Sequence, residues 1–232
     1  MPAGRVIRQR PSPNFGPRRD GLCPSLIVIH YTAMDSAEAA CDRLCDPATE
    51  VSAHYLVAGD GGVTQLVDEA QRAWHAGAGS WAGQGDVNSR SIGIELDNRG
   101  THPFAAPQMA ALEWLLRGIM ARWRIPPEGV IGHSDMAPGR KADPGPRFDW
   151  ARLARQGLAG HAAGPAAAPG EITVDAFHAA ARDLGFPAEV DTRTLLSATR
   201  LRFAPWRSGP LQPADFALHH GLRHGAQPDT AP

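Results

Sequence analysis

The sequence predicts an α/β domain with a mixed central β-sheet flanked by helices, followed by a small unit of three short helices. Three observations lead there. Short apolar runs recur at 25–29, 54–57, 63–67 and 91–96, with the end of another at 130–131; the longer ones are of strand length and several are rich in β-branched residues. An amphipathic stretch over 107–124 separates the last two of them. The tract 158–170 (LAGHAAGPAAAPG) then breaks the pattern, with almost no charge or large side chain, which is the composition of a linker. The chain therefore divides into residues 1–157, a linker at 158–170 and a helical unit at 171–232.

Taken in order, residues 1–24 are rich in Pro, Arg and Gly and are expected to run irregularly over the surface. Ser25-Leu26-Ile27-Val28-Ile29 reads as a strand buried on both faces and ends in His30-Tyr31-Thr32. Asp35-Ser36-Ala37-Glu38 has the form of a capping box, with Asp35 as the cap of a helix running to Leu44. The glycines of 58–62 suit a hairpin turn between His54–Val57 and Val63–Val67. Residues 73–88 are small and aromatic without a regular period. In 91–96 one carboxylate, Glu95, interrupts an apolar strand. Over 107–124 the residues Met109, Leu112, Leu115, Leu116, Ile119 and Trp123 recur at three- and four-residue steps, a single helical stripe opened by Pro107. After Val130-Ile131, the prolines and glycines at 138, 139 and 144–146 predict a tightly turned loop rather than a helix. In the C-terminal unit, Val174, Phe177, Ala181 and Leu184 form one stripe. Leu195, Leu196, Thr199 and Phe203 form a second, and Phe216 anchors a third short helix.

Composition bounds the function. A net charge of −1 provides no field for a polyanion, so nucleic acid is not an expected partner. No apolar run is long enough to cross a bilayer, and a monomer is expected. The first twenty residues carry five arginines among prolines and lack the apolar core of a secretory signal. A cytoplasmic location is expected on that ground, with the periplasm as the alternative. Three cysteines cannot all pair within one chain, which suits a reducing compartment. Cys41 and Cys45, one helical turn apart, read as small buried helix residues.

The chemistry-bearing residues sit at strand ends. His30 closes the first buried strand, and the loop after Val130-Ile131 carries His133, Lys141 and Asp143. Two imidazoles and a carboxylate, with a fourth position open, form the donor set of a catalytic rather than structural zinc site. Burying Glu95 in charged form costs several kcal/mol unless it is paired or faces a polar cleft, so it is expected to point at something. His219, His220 and His224 form a further histidine cluster, read as a solvated tail.

The segments IVIHYT (27–32), SAHYLV (52–57), AWHAG (73–77), SIGIEL (91–96) and IGHSDMAPGRKADPGPRFDW (131–150) together resemble the type 2 N-acetylmuramoyl-L-alanine amidase family, related to the peptidoglycan recognition proteins. The resemblance covers about residues 10 to 155 and implies that fold. It also implies zinc held by His30, His133 and Asp143, with Glu95 and Lys141 completing the catalytic set. The expected substrate is a muropeptide or peptidoglycan. Its scissile bond is the amide between the lactyl group of (1,6-anhydro-)N-acetylmuramic acid and the L-alanine of the stem peptide, cut in cell wall recycling. His75, Trp81 and Asn88 are candidate substrate contacts, and His54 a structural or supporting residue. The C-terminal helices loosely resemble the peptidoglycan-binding modules that follow such amidases, which leaves a wall-binding or a vestigial unit as the two readings. Two other readings bear weighing: a muropeptide-binding protein without catalysis, and a metallopeptidase cutting within the stem. An intact ligand set argues against the first, and the absence of a His-Glu-x-x-His helix against the commonest form of the second. An exported amidase remodelling the wall is a variant of the main reading.

Overall fold

The computed structural model describes residues 6–160, 173–187 and 189–217. Six strands form one sheet: β1 (Ile7–Gln9), β3 (Leu26–Tyr31), β4 (Tyr55–Val57), β5 (Val63–Gln65), β7 (Ser91–Leu96) and β8 (Val130–Gly132). Their spatial order is β1-β5-β4-β7-β3-β8. The β4–β5 hairpin is antiparallel, and every other pairing is parallel, so the sheet is mixed as expected. β2 (Phe15–Pro17) and β6 (Gln71–Ala73) make a separate antiparallel ribbon.

Alternation along the strands divides the side chains between two faces. Ile27 and Ile29 of β3, with Ile92, Ile94 and Leu96 of β7, share a core with the long helix α3 (Ala106–Trp123). The expected stripe is the buried one: Met109, Leu112, Leu115, Leu116 and Ile119 are at most 3% exposed. Each such side chain contributes roughly 1.5–3 kcal/mol of transfer free energy, which holds α3 across the sheet. The opposite face receives Leu26, Val28 and His30 from β3, and Ser91, Gly93 and Glu95 from β7. α1 (Ala37–Cys45) covers part of that side through Ala40, Cys41 and Leu44. α2 (Val87–Arg90) leads into β7, α4 (His133–Met136) follows β8, and α5 (Trp150–Arg155) ends the first unit.

Several expectations change. The N-terminal segment is not irregular throughout. Three-residue strands are too short to show a period, yet the open edge of β5 accepts β1. Arg18, half-buried, donates to the carbonyls of Glu69, Asn88, Ser89 and Ser91 and ties the segment down. The cap of α1 is Ser36, whose Oγ accepts from Ala39 N–H at 3.2 Å, and not Asp35, which pairs with Arg99. The loop after β8 opens with one helical turn, α4, before its prolines take over.

Among the described residues of the C-terminal unit are the three helices read from its stripes: α6 (Val174–Asp183), α7 (Thr192–Phe203) and α8 (Pro213–Ala217). Phe177, Leu195, Leu196 and Phe216 form its core. Residues 161–172, most of the expected linker, lie outside the described residues, as do His219, His220 and His224.

Candidate metal centre

The register of three parallel strands builds the site. His30 of β3 stands opposite Glu95 of β7. Ile29 stands opposite Gly132 of β8, so His133 follows one step beyond, beside His30. Three chemical groups distant in sequence thus emerge together at the C-terminal ends of adjacent strands, where α/β sheets place their ligands. Asp143 returns from the loop, which closes on itself through Ser134 N–H donating to Asp143 O at 2.9 Å.

His30 Nδ1, His133 Nδ1 and Asp143 Oδ2 form a nearly equilateral triangle. Its edges are 3.0 Å between the imidazole nitrogens, 2.9 Å from His30 to Asp143 and 3.1 Å from His133 to Asp143. All three residues are buried. The far side of each ring fixes its tautomer. His133 Nε2 lies 2.9 Å from Ala76 O, a carbonyl that can only accept, so the proton is on Nε2. From His30, Nε2 donates to His75 Nδ1 (3.0 Å), His75 Nε2 to Ser91 Oγ (3.1 Å), and Ser91 Oγ to Val87 O (2.6 Å). Both Nδ1 atoms therefore present lone pairs to the carboxylate. Burial, reinforced by the neighbouring His133, pushes His30 down to about 4, so its ring is neutral at pH 7. Three acceptors at this distance repel one another. A proton could relieve one edge of the triangle, whereas a cation relieves all three. Metal–ligand bonds of about 2.0–2.1 Å in a tetrahedron give edges of about 3.3 Å, close to those observed. The donor set fits a metal ion.

Glu95 borders this triangle. Its Oε2 is buried without a hydrogen-bond partner among the described residues. Burial, then the charge of Asp143, pushes the carboxyl up to about 8. A cavity of about 420 Å³ opens over the cluster, and His30, Glu95, His133, Lys141 and Asp143 all line it, with Trp74 on its wall. The Lys141 side chain is exposed at the rim.

The other candidates are placed differently. His75 lines the cavity, but its ring nitrogens are both engaged in the chain that orients His30. His54 accepts from Gly93 N–H at Nδ1 and meets Gln71 O at Nε2, a structural link. Asn88 lies away from the cavity: it is buried, and its Oδ1 accepts from His75 N–H and Ala76 N–H, holding the loop that carries His75. Trp81 also lies outside the cavity. It packs edge-on against Phe186 (centroids 5.2 Å apart) and touches Gly185, wedged between the two units. Neither side chain lines the cavity: one is engaged in packing and the other in loop support.

Sequence reading missed three supporting residues. Gly93 leaves room for the His75 ring, since a Cβ there would lie 2.4 Å from it. Ser91 ends the proton-holding chain. Arg140 donates to Ala76 O at 2.7 Å and to Ala78 O, pinning residues 76–78 over His133. The alternation Ser91-Ile92-Gly93-Ile94-Glu95 is the one signal that could have shown a polar face carrying the first two.

Residues 20–146 match the family model described as N-acetylmuramoyl-L-alanine amidase. The chain belongs to the type 2 N-acetylmuramoyl-L-alanine amidase family. Among relatives of these amidases, it is 44% identical over 149 residues to N-acetylmuramoyl-L-alanine amidase AmiD of Escherichia coli, a match over 57% of this chain and 53% of that protein, about half its length. The structure of AmiD in complex with the substrate anhydro-N-acetylmuramic acid-L-Ala-D-γ-Glu-L-Lys superposes with a TM-score of 0.77 at 32% identity, over 88% of this chain and 90% of that one. The 1,6-anhydro-N-acetylmuramyl-L-alanine amidase AmpD of Citrobacter freundii is 36% identical over 163 residues, 63% of this chain and 87% of that protein. AmpDh3 of Pseudomonas aeruginosa, in complex with anhydromuramic pentapeptide, superposes with a TM-score of 0.76 at 30% identity, over 96% of this chain and 98% of that one. Similarity at that coverage takes in the C-terminal helices as well as the amidase domain.

Proposed function

We propose that the protein is a zinc-dependent amidase that hydrolyses the amide between (1,6-anhydro-)N-acetylmuramic acid and the L-alanine of a stem peptide, in peptidoglycan recycling. One observation carries the reading: three lone-pair donors, two of them imidazoles with fixed tautomers, converge in a cavity beside a carboxylate whose buried Oε2 has no partner among the described residues. His30, His133 and Asp143 would hold the metal. Zinc suits two imidazoles and a carboxylate with one position open, and when bound it supplies Lewis-acid activation of water and of the scissile carbonyl.

The remaining steps belong to the chain's own side chains. Glu95 lines the cavity, and its Oε2 has no partner among the described residues. Beside the bound cation its ionised form is favoured, in which it would take a proton from the attacking water and pass it to the leaving alanine nitrogen. Water oxygen bonds to the amide carbon, the C–N bond breaks, and the products are a lactyl carboxylate and a free amine. Lys141 lies at the cavity rim, two residues before Asp143, where its ammonium would offset the negative charge that develops on the carbonyl oxygen. His75 and the Ala76 carbonyl keep the ligand imidazoles aligned. No side chain needs to act as a nucleophile.

Among the described residues, no helix is long and apolar enough to cross a membrane. Relatives named for 1,6-anhydro-muramyl substrates favour soluble turnover fragments over intact wall as the substrate. The test is digestion of matched anhydro and non-anhydro muropeptides, with and without a chelator, with products read by mass spectrometry. Intact stem peptide plus free sugar is expected, with activity lost on chelation and restored by zinc. A shortened stem, or no cleavage with zinc supplied, would overturn the reading.

A further inference from the structure

The C-terminal unit reaches into the metal site's foundations through one side chain. Arg202, on α7, is 6% exposed although it carries a full charge. Its Nη1 donates to Asp135 Oδ2 at 3.0 Å and its Nη2 to Val130 O at 3.0 Å, while its guanidinium lies 3.7 Å from the centre of the Trp150 ring. Val130 belongs to β8, the strand before His133, and Asp135 to α4, the helix that His133 opens. The same Asp135 Oδ2 accepts from Gly132 N–H at 2.7 Å. Arg202 therefore grips the elements on both sides of His133, and the carboxylate it pairs with holds the backbone at the junction. Burying a charged guanidinium is costly unless its hydrogen bonds are met, and here they are met by groups flanking His133. Arg200, two positions earlier and so on nearly the opposite side of the helix, pairs with Asp215 inside its own unit.

We propose that Arg202 is a positioning residue, through which the C-terminal helical unit sets the backbone at His133 and hence the affinity of the centre for its metal. The unit is then part of the catalytic apparatus as well as an appendage. Because Trp150 lies between Arg202 and Gly132, with its ring 3.2 Å from where a Gly132 Cβ would stand, the strut also leaves little slack for the junction to shift.

The full-length chain is used throughout. In Arg202→Met, hydrogen exchange over residues 130–136 should quicken by about tenfold. The zinc dissociation constant, from chelator competition, should rise by about 10- to 100-fold, the size seen when groups supporting a metal ligand are lost. Turnover should fall while KM stays within twofold, an arm that rests on the amidase reading. Arg202→Lys should recover part of each loss. Asp135→Asn should match Arg202→Met, and the double variant should be no worse than either, as for residues acting through one contact. Arg200→Met is the control, since it disturbs the same unit without touching Asp135. Unchanged exchange and zinc affinity in Arg202→Met, or equal losses in Arg200→Met, would overturn the proposal. If the wild-type protein bound zinc but cut no muropeptide, the amidase reading would fail, while exchange and zinc affinity would still judge the strut.

Discussion

Two glutamates in this chain, Glu69 buried and Glu95 half-buried, have opposite surroundings. Glu69, 7% exposed, receives hydrogen bonds from Tyr55 Oη (2.7 Å), Trp123 Nε1 (2.6 Å) and both ends of the Arg122 fork (3.1 and 2.5 Å). Burial would raise its carboxyl, but those donors outweigh it and hold the group below the usual range. Glu95 has a buried oxygen with no such donor, so burial and Asp143 push it up instead. The Glu69 network closes on itself, whereas the groups around Glu95 leave lone pairs facing each other or facing a cavity. The same contrast separates His54, with both nitrogens engaged by backbone, from His30 and His133, whose inner nitrogens meet only other acceptors.

Substitutions can break the contrast, beginning where the effect is largest. His133→Ala should abolish both metal retention and turnover, checked by elemental analysis of the purified protein after zinc loading. Retained zinc at one equivalent would show that the triangle is not the binding site. Glu95→Gln should keep the metal and lower kcat by about 10²- to 10⁴-fold. Its melting temperature should hold or rise, since an unpaired buried carboxyl has been removed. A clear loss of stability would place Glu95 with Glu69 as a structural group. His75→Ala should weaken zinc binding by about 10- to 100-fold without removing it, as chelator titration would reveal.

The mildest effects belong to the closed network. Glu69→Ala leaves the Tyr55 hydroxyl and Trp123 N–H without their partner and should cost about 2–4 kcal/mol in denaturant unfolding. The specific activity of the folded fraction should be unchanged. Because the folded carboxyl of Glu69 titrates below its unfolded value, its stabilisation is present above the ordinary glutamate range and is lost as pH falls through the folded value. His54 acts in the same direction for a different reason: burial pushes it down to about 4. The stability that accompanies its neutral form is present above about 6.5 and declines as pH falls toward 4. Unfolding midpoints measured from pH 7 down to 4 should therefore decrease in the wild type. The acid end of that slope should flatten in Glu69→Ala.

Much of this was legible before any coordinates. The α3 stripe and the short β-branched runs marked the two layers of the sheet domain, because burial on one face writes a period into the chain. Glu95 was conspicuous since a carboxylate in an apolar strand needs a reason to be there. The composition of 132–146 marked a rigid loop carrying His133, Lys141 and Asp143, although the opening turn of α4 was invisible among its prolines. Trp81 and Asn88 were read as candidate substrate contacts, and the structure places both outside the cavity lining, because a residue type in a loop does not reveal whether its side chain turns inward. β1 and β2 escaped notice because three residues carry no period, and their partners lie some fifty residues away.

The sequence by itself determined the layered α/β plan and the family, and it singled out the three residues that converge at the candidate metal centre, since these are written in local pattern and in motifs. Tertiary structure decided the rest. Register across β7, β3 and β8 put Glu95, His30 and His133 side by side. Hydrogen bonds from Ala76, His75 and Ser91 chose the tautomers, and Arg202 crossed from another unit to brace the junction at His133. Each of these depends on distance between residues far apart in the chain, and only packing sets that distance.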